Sequence, residues 1–201
     1  MEATAKFIPE QTEGEHNDIV EYIGQSSYAE AHKHFMLVKN RLRDVGNWHQ
    51  FVGQAGSTFA ITDAQGNVAY KAAEKGDIFY IDMPGPGPAG GDGYDWVRIE
   101  EVHEHEDENG DSEYYVMIVR PVANPHTQGE VAHFFGHGST NTFIVERSGN
   151  KLSAEVHGRN EKPNTDGNLL DKARNFVVGL TARHGLSAPH WHTFAGNLLK
   201  V

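Results

Sequence analysis

The sequence predicts an α+β domain in which a curved antiparallel sheet of about six or seven strands packs on a long C-terminal helix, with further helices near the N-terminus. Apolar residues spaced by three and four follow residue 26, and seven short β-rich runs separated by turn residues come next. Helical spacing then returns after residue 168. With 201 residues and no shift of composition inside it, the chain reads as a polar segment, 1–25, leading into a single domain, 26–201.

The first 18 residues are polar and acidic, and only Phe7 and Ile8 offer a pair worth burying, so this stretch is expected to fray or to lie on the surface. From Ser26 the helical stripe is Tyr28, Ala31, Phe35, Val38, Leu42 and Val45. Ser27 with Glu30 three residues on has the form of a capping box, and Gly46 is placed to end the helix. A short second turn, NWHQFVG, carries Trp48, Phe51 and Val52. The strand runs are STFAITD, NVAYKA, GDIFYIDM, YDWVRIEEVHE, SEYYVMIVRPV, STNTFIVER and KLSAEVHG. Asn109-Gly110 and Gly149-Asn150 are the best hairpin turns among the connections, because these residues accept positive φ between β-rich flanks. The Pro/Gly stretch 83–93 reads as a loop. In NLLDKARNFVVGLTARHG, 168–185, residues Leu169, Leu170, Ala173, Phe176, Val177 and Leu180 form one stripe that Gly185 closes. Ser187-Ala188-Pro189 then opens further turns bearing Trp191, Phe194 and Leu198.

Composition excludes several function classes. A net charge of -11 disfavours a nucleic-acid backbone or an anionic membrane, since both are met by clustered Lys and Arg. The absence of Cys rules out disulfides, thiolate metal sites and thiol catalysis. The N-terminus lacks the basic and apolar regions of a secretory signal, and no run of apolar residues is long enough to span a bilayer. The chain is expected to be soluble and cytoplasmic.

Several strands are apolar on both sides. In YYVMIVR, Tyr115, Met117 and Val119 share one face and Tyr114, Val116 and Ile118 the other, so the second face needs a cover or lines a cavity. The order of elements, helix with Trp48 and Phe51 in a short second turn, antiparallel sheet, long amphipathic C-terminal helix, resembles the helix-grip fold of the START/Bet v 1-like (SRPBCC) superfamily over residues 26 to 200. That family opens with a strand, which here only AKFIPEQ is placed to supply. The resemblance implies a ligand space between sheet and long helix that takes lipids, sterols or other small apolar molecules, with cyclisation or hydrolysis there in some members.

The 13 His residues invite a metal reading. His103, His105 and Glu101 would share a strand face, but they sit at an acidic hairpin tip with no further ligand fixed by spacing. His190 with His192, and His32 with His34, diverge around a helix. His133 and His137 have helical spacing in a stretch, HFFGHG, that makes a poor helix; there Phe134 and Phe135 instead suit packing into the core or over a cavity mouth. The glycine-rich runs 85–91 and 91–98 lead into a strand and so lack the strand-turn-helix context of a phosphate loop, and Asp77, Asp82, Asp95 and Glu100 are not paired by any spacing. No metal or cofactor is expected.

HGRNEKPN, 157–164, carries more chemistry than a turn requires. Leu152, Ala154 and Val156 share one face, which puts His157 on the other with Ser153 and Glu155, and Arg159 follows a Gly that can bend the strand. As a structural turn, Glu161 pairs with Arg159 or Arg174 and Asn164-Thr165-Asp166 caps the helix; as a site, Arg159 clamps a carboxylate at a cavity mouth, with Asn160 and Glu161 orienting it. The expected ligand-binding residues are Trp48, Phe79, Trp96, Tyr115, Met117, Phe143, Phe176 and Leu180, with His157 and Arg159 as polar anchors. The leading expectation is binding of a small hydrophobic molecule. The alternatives are an enzyme of cyclase or hydrolase type using His157 with a nearby carboxylate, and an interaction module whose doubly apolar strands form a homodimer interface.

Overall fold

An edge strand that hydropathy does not announce begins the sheet. In the computed structural model, which describes residues 3–53, 57–83, 88–127, 129–164 and 187–201, strand β1 spans Glu15–Gly24. It is followed by α1 (Tyr28–Arg43) and a 3-10 turn at Val45–Gln50. The remaining strands are β2 (Thr58–Thr62), β3 (Ile78–Asp82), β4 (Asp95–His105), β5 (Ser112–Pro121), β6 (Thr140–Ser148) and β7 (Lys151–Glu161). The chain ends on α2 (Ser187–Leu198). The helix expected over 168–185, with Phe176, Leu180 and Arg174, lies outside the described residues.

The seven strands form one antiparallel sheet in the order β1-β7-β6-β5-β4-β3-β2, so the first strand closes onto the last and β2 forms the far edge. A helix between the first two strands and a C-terminal helix on one face make this the helix-grip arrangement. Two strand assignments differ from the sequence reading. NVAYKA is not a strand and touches the sheet at a single bridge, Thr62 to Val68; the seventh strand is EHNDIVEYIG instead. Only Ile19 and Ile23 of β1 face the core with any apolar area, which is why a pattern search passes over it. The strand that opens the sheet is therefore Glu15–Gly24 and not AKFIPEQ, whose Ala5–Phe7 form a 3-10 turn. The expected boundary at residue 25 is corrected accordingly, since the segment set apart from the domain contributes a full strand to its sheet.

Local chemistry accounts for the rest. The Ser27 side chain caps α1 by accepting from the Glu30 backbone N–H at 3.2 Å. Gly149, at φ 61°, opens the two-residue turn that pairs Ser148 with Lys151. One face of the sheet, the inner face, packs α1 and α2 through Phe35, Val38, Leu42, Tyr115, Met117, Val145, Ala154 and Phe194, all buried. Burial pushes the Tyr115 phenol up to about 12, so it packs as a neutral ring. The outer face is covered by the chain itself: Phe7 and Ile8 pack on Val116, Ile118, Ile144 and Tyr114, while Val122 and Ala132 cover Ile78 and Trp96. The N-terminal stretch expected to fray is thus the lid of the second apolar face.

Candidate functional site

The inner face carries a pocket at the end of the sheet where β7 leaves it. Its floor is aromatic: the Trp48 ring lies 4.9 Å from Phe143, 5.8 Å from Phe79 and 5.0 Å from Phe194, and Trp191 of α2 stands 5.4 Å from Phe143. Trp48 is held there by its own indole N–H, which donates to the Leu42 carbonyl at 3.0 Å. A cavity of about 50 Å³ opens between these rings, Val97 and Val119 below, and the segment His133–Phe135 above.

That upper wall is pinned at three points. The buried Asp95 accepts the Phe134 N–H at 2.9 Å, the Asn164 side chain donates to the Val131 and His133 carbonyls at 2.9 and 3.0 Å, and Phe135 bridges Pro163. Asn164 therefore fastens the pocket wall; Thr165 and Asp166 of its expected cap lie outside the described residues. His133 accepts the Phe135 N–H on Nδ1 at 2.9 Å and stacks on Phe134 with ring centres 4.3 Å apart.

The polar groups of the pocket come from β7, β6 and β1. Strand alternation puts Ile19 and Val156 on the inner face, and with them Asn17 and Gly158, which pair across β1 and β7. Asn160 then adopts φ 56°, a left-handed turn that breaks the alternation and carries Glu161 inward. Its strain is met by anchorage: the Asn160 side chain accepts the N–H groups of Thr12 and Glu13 at 2.8 and 3.0 Å and donates to the Glu10 carbonyl at 3.0 Å. The Glu161 carboxylate folds back over Gly158, where a Cβ would overlap both it and the Asn17 amide. Asn17 Nδ2 donates to Glu161 Oε1 at 2.9 Å. Burial lifts the Glu161 carboxyl to about 7, Glu15 adds to the rise, and the Asn17 hydrogen bond and the Arg159 charge oppose it. Asn141 also lines the cavity, and its side-chain carbonyl is buried with no hydrogen-bond partner among the described residues.

Of the expected site residues, Trp48, Phe79 and Phe143 line the cavity, whereas Tyr115 and Met117 lie in the surrounding inner core. Trp96 faces the other way, into the outer cluster, with its indole N–H on the Gly91 carbonyl at 2.9 Å. His157 and Arg159 are also on the outer face. His157 bonds Asp18 through Nδ1 at 2.6 Å and Glu155 through Nε2 at 2.9 Å, and Ser153 donates to the other Glu155 oxygen at 2.6 Å. Arg159 donates to Asp18 at 2.6 Å and to the Asn17 and Gly158 carbonyls. The expected pairing of Glu161 with Arg159 gives way to Asp18 with Arg159, because the left-handed turn at Asn160 sends the two side chains to opposite faces. Asn141 and Asn17 are polar residues that sequence reasoning missed, and Glu161, expected beside Arg159, is instead the inward acid. The signal for Glu161 was Gly158, a gap on the inner face four residues into the pocket end of the strand.

His103 and Glu101 form a 2.7 Å pair, and the His103 ring stacks under Phe7 with centres 4.2 Å apart, which ties it to the N-terminal cover. Among the described residues no group of three or more His, Asp or Glu side chains is arranged to hold a metal, and no helix is long and apolar enough to cross a membrane.

No family model matches the chain, and no curated protein matches it. Among solved structures it is similar to the XoxI protein of Bacillus cereus, with 13% identity and a TM-score of 0.41 over 93% of this chain and 97% of that one. The ZhuI aromatase/cyclase of Streptomyces sp. R1128 aligns with 9% identity and a TM-score of 0.39 over 92% of each chain. Norcoclaurine synthase of Thalictrum flavum aligns with 10% identity and a TM-score of 0.37 over 96% of each.

Proposed function

We propose that the protein binds a small molecule whose apolar or aromatic portion packs against Trp48, Phe143, Phe134 and Trp191 and whose polar group meets Glu161. The observation that carries this reading is the Glu161 carboxyl, brought to an aromatic-walled cavity by a left-handed residue and by a glycine that leaves room for it. A structural acid could have been placed at the rim at no cost; turning one inward, against desolvation, is what a polar anchor for a ligand requires. The cavity of about 50 Å³ holds a head group of one or two water-sized units, so the ligand body extends along Phe134 and Trp191 toward the exit.

The test is intrinsic fluorescence. Two of the three tryptophans, Trp48 and Trp191, line the cavity and Trp96 does not, so a bound aromatic molecule changes the emission of a Trp96→Phe variant and leaves little change in a Trp48→Phe/Trp191→Phe double variant. Native mass spectrometry of the purified protein, gentle then denaturing, identifies any molecule that travels with it. Unchanged emission across a panel of small aromatics and a clean protein mass would count against the reading.

A second reading rests on the titration of Glu161. A carboxyl near 7 can both take and give a proton at neutral pH, which suits general acid-base catalysis on the bound molecule. This moves the catalytic role from His157, locked between two carboxylates on the outer face, to Glu161. A turnover rate that follows one ionisation near 7 and disappears in Glu161→Gln would support it.

A further inference from the structure

We infer that the pocket selects a cationic amine, a primary or secondary ammonium on an aromatic or apolar body, over neutral and anionic molecules of the same shape. The inference rests on the binding reading above and specifies its ligand.

The polar inventory of the cavity leans to acceptors, with the His133 imidazole beside them. Glu161 presents a carboxyl, Asn141 brings a side-chain carbonyl lacking a donor among the described residues, and no Lys or Arg lines the cavity among those residues. Lys162, the nearest cation by sequence, pairs with Glu13, and Arg159 is spent on Asp18 and two carbonyls on the opposite face. Around these acceptors stand the faces and edges of Trp48, Phe79, Phe143, Phe134 and Trp191. Aromatic walls stabilise a desolvated cation through the ring quadrupole, and a carboxylate supplies the counter-charge. An anionic ligand would meet Glu161 with like charge, and a neutral apolar one would leave the Asn141 carbonyl without a donor among the described residues and the ionised carboxylate with the Asn17 amide alone. The volume agrees, since about 50 Å³ admits an ammonium and its first carbon while the rest of the molecule lies against Phe134 and Trp191. At longer range, the chain's excess of 28 acidic over 17 basic residues favours approach of a cation.

Binding then couples to protonation. Glu15 and Asn17 from β1 and His133 from the upper wall stand around Glu161, and the Arg159 charge acts on it from the opposite face. An entering ammonium outweighs the Glu15 repulsion and the desolvation that keep the carboxyl protonated, so the acid releases a proton as the amine binds. The ligand exchanges one proton on Glu161 for its own positive charge.

The experiment titrates the protein with benzylamine, benzyl alcohol and benzoate by calorimetry, in two buffers of different ionisation enthalpy. The expected result is benzylamine about tenfold tighter than benzyl alcohol above pH 7, with benzoate weakest and a proton released to buffer near neutrality. Glu161→Gln, checked by its thermal melt to be folded, abolishes the preference for benzylamine over benzyl alcohol and the proton release. Benzyl alcohol or benzoate binding as well as benzylamine to the wild type overturns the amine inference and leaves the pocket reading in place. Binding of none of the three to a cooperatively melting protein overturns both.

Discussion

Asn17 on β1 donates its side-chain amide to the Glu161 carboxylate at 2.9 Å, across a strand pair whose facing residue, Gly158, has no side chain to intervene. The bond joins the first strand of the sheet to the end of the last, at the one place where β7 presents an acid to the inner face. It holds in either protonation state, because the amide donates to whichever oxygen carries no proton.

Filling that gap is expected to damage fold and site together. In Gly158→Ala the new methyl overlaps the Glu161 carboxylate and the Asn17 amide, and one of them must leave. Overpacking of this kind costs about 1–3 kcal/mol. Urea denaturation should show the loss, and the variant should lose the fluorescence response to ligand even under conditions where it is fully folded.

Glu161 should set a pH dependence of stability with a definite sign. Its folded value is raised from 4.5 to about 7, so the native state holds the proton more tightly than the unfolded chain, and stability falls as pH rises through that interval. The full displacement corresponds to roughly 3 kcal/mol once both states are ionised. Glu161→Gln removes the charge and keeps an oxygen for Asn17. Thermal melts should therefore find the variant more stable than wild type at about pH 8.5 and indistinguishable at about pH 4. Equal melts at both ends would mean that the carboxylate is not desolvated in the native state.

The outer face predicts a stability maximum instead of a single slope. Burial alone would lower the His157 value, but the hydrogen bonds and charges of Glu155 and Asp18 outweigh it and hold it above 6.5. Burial would raise Glu155, yet the His157 and Ser153 bonds bring it below 4.5. The raised imidazole contributes stability that is present below 6.5 and is lost as pH climbs through its folded value; the depressed carboxylate contributes stability that is present above 4.5 and is lost on acidification. The clamp between β1 and β7 is strongest between those limits. Ring-proton NMR should place the His157 titration above 6.5 in wild type and lower in Asp18→Asn.

The sheet and the fold class were legible because their signals are local. Alternation in YYVMIVR, turn chemistry at Gly149 and the capping serine of α1 each act within a few residues, and each is present in the structure. The β1 strand was hidden because an edge strand with two inward apolar residues and acidic neighbours has no periodic signature; the partner β7 makes it a strand. The aromatic floor at Trp48, Phe79 and Phe143 could be anticipated from size alone. The polar anchor could not be, because strict alternation places Glu161 with His157 and Arg159 on the face opposite Val156, and a single left-handed residue at Asn160 reverses the parity. What holds Asn160 in that conformation is Glu10–Glu13, about 150 residues away in the chain.

The apolar residues on the second face are accounted for within one chain, and that makes a prediction about Ile118. A dimer interface was the expectation drawn from strands that are apolar on both sides; here Phe7 and Ile8 lie on Val116, Ile118 and Ile144, and Phe7 rests 5.6 Å from the Tyr114 ring. Ile118→Lys places an unpaired ammonium beneath that cover and should cost about 3 kcal/mol or more. The loss should be matched in large part by Phe7→Ala/Ile8→Ala, which uncovers the same patch from the other side. Light scattering separates the two ideas: if Phe7 and Ile8 are the partner, Ile118→Lys melts early while the folded protein keeps the mass of wild type. A wild-type dimer that Ile118→Lys splits into stable monomers would instead return the face to a second copy of the chain.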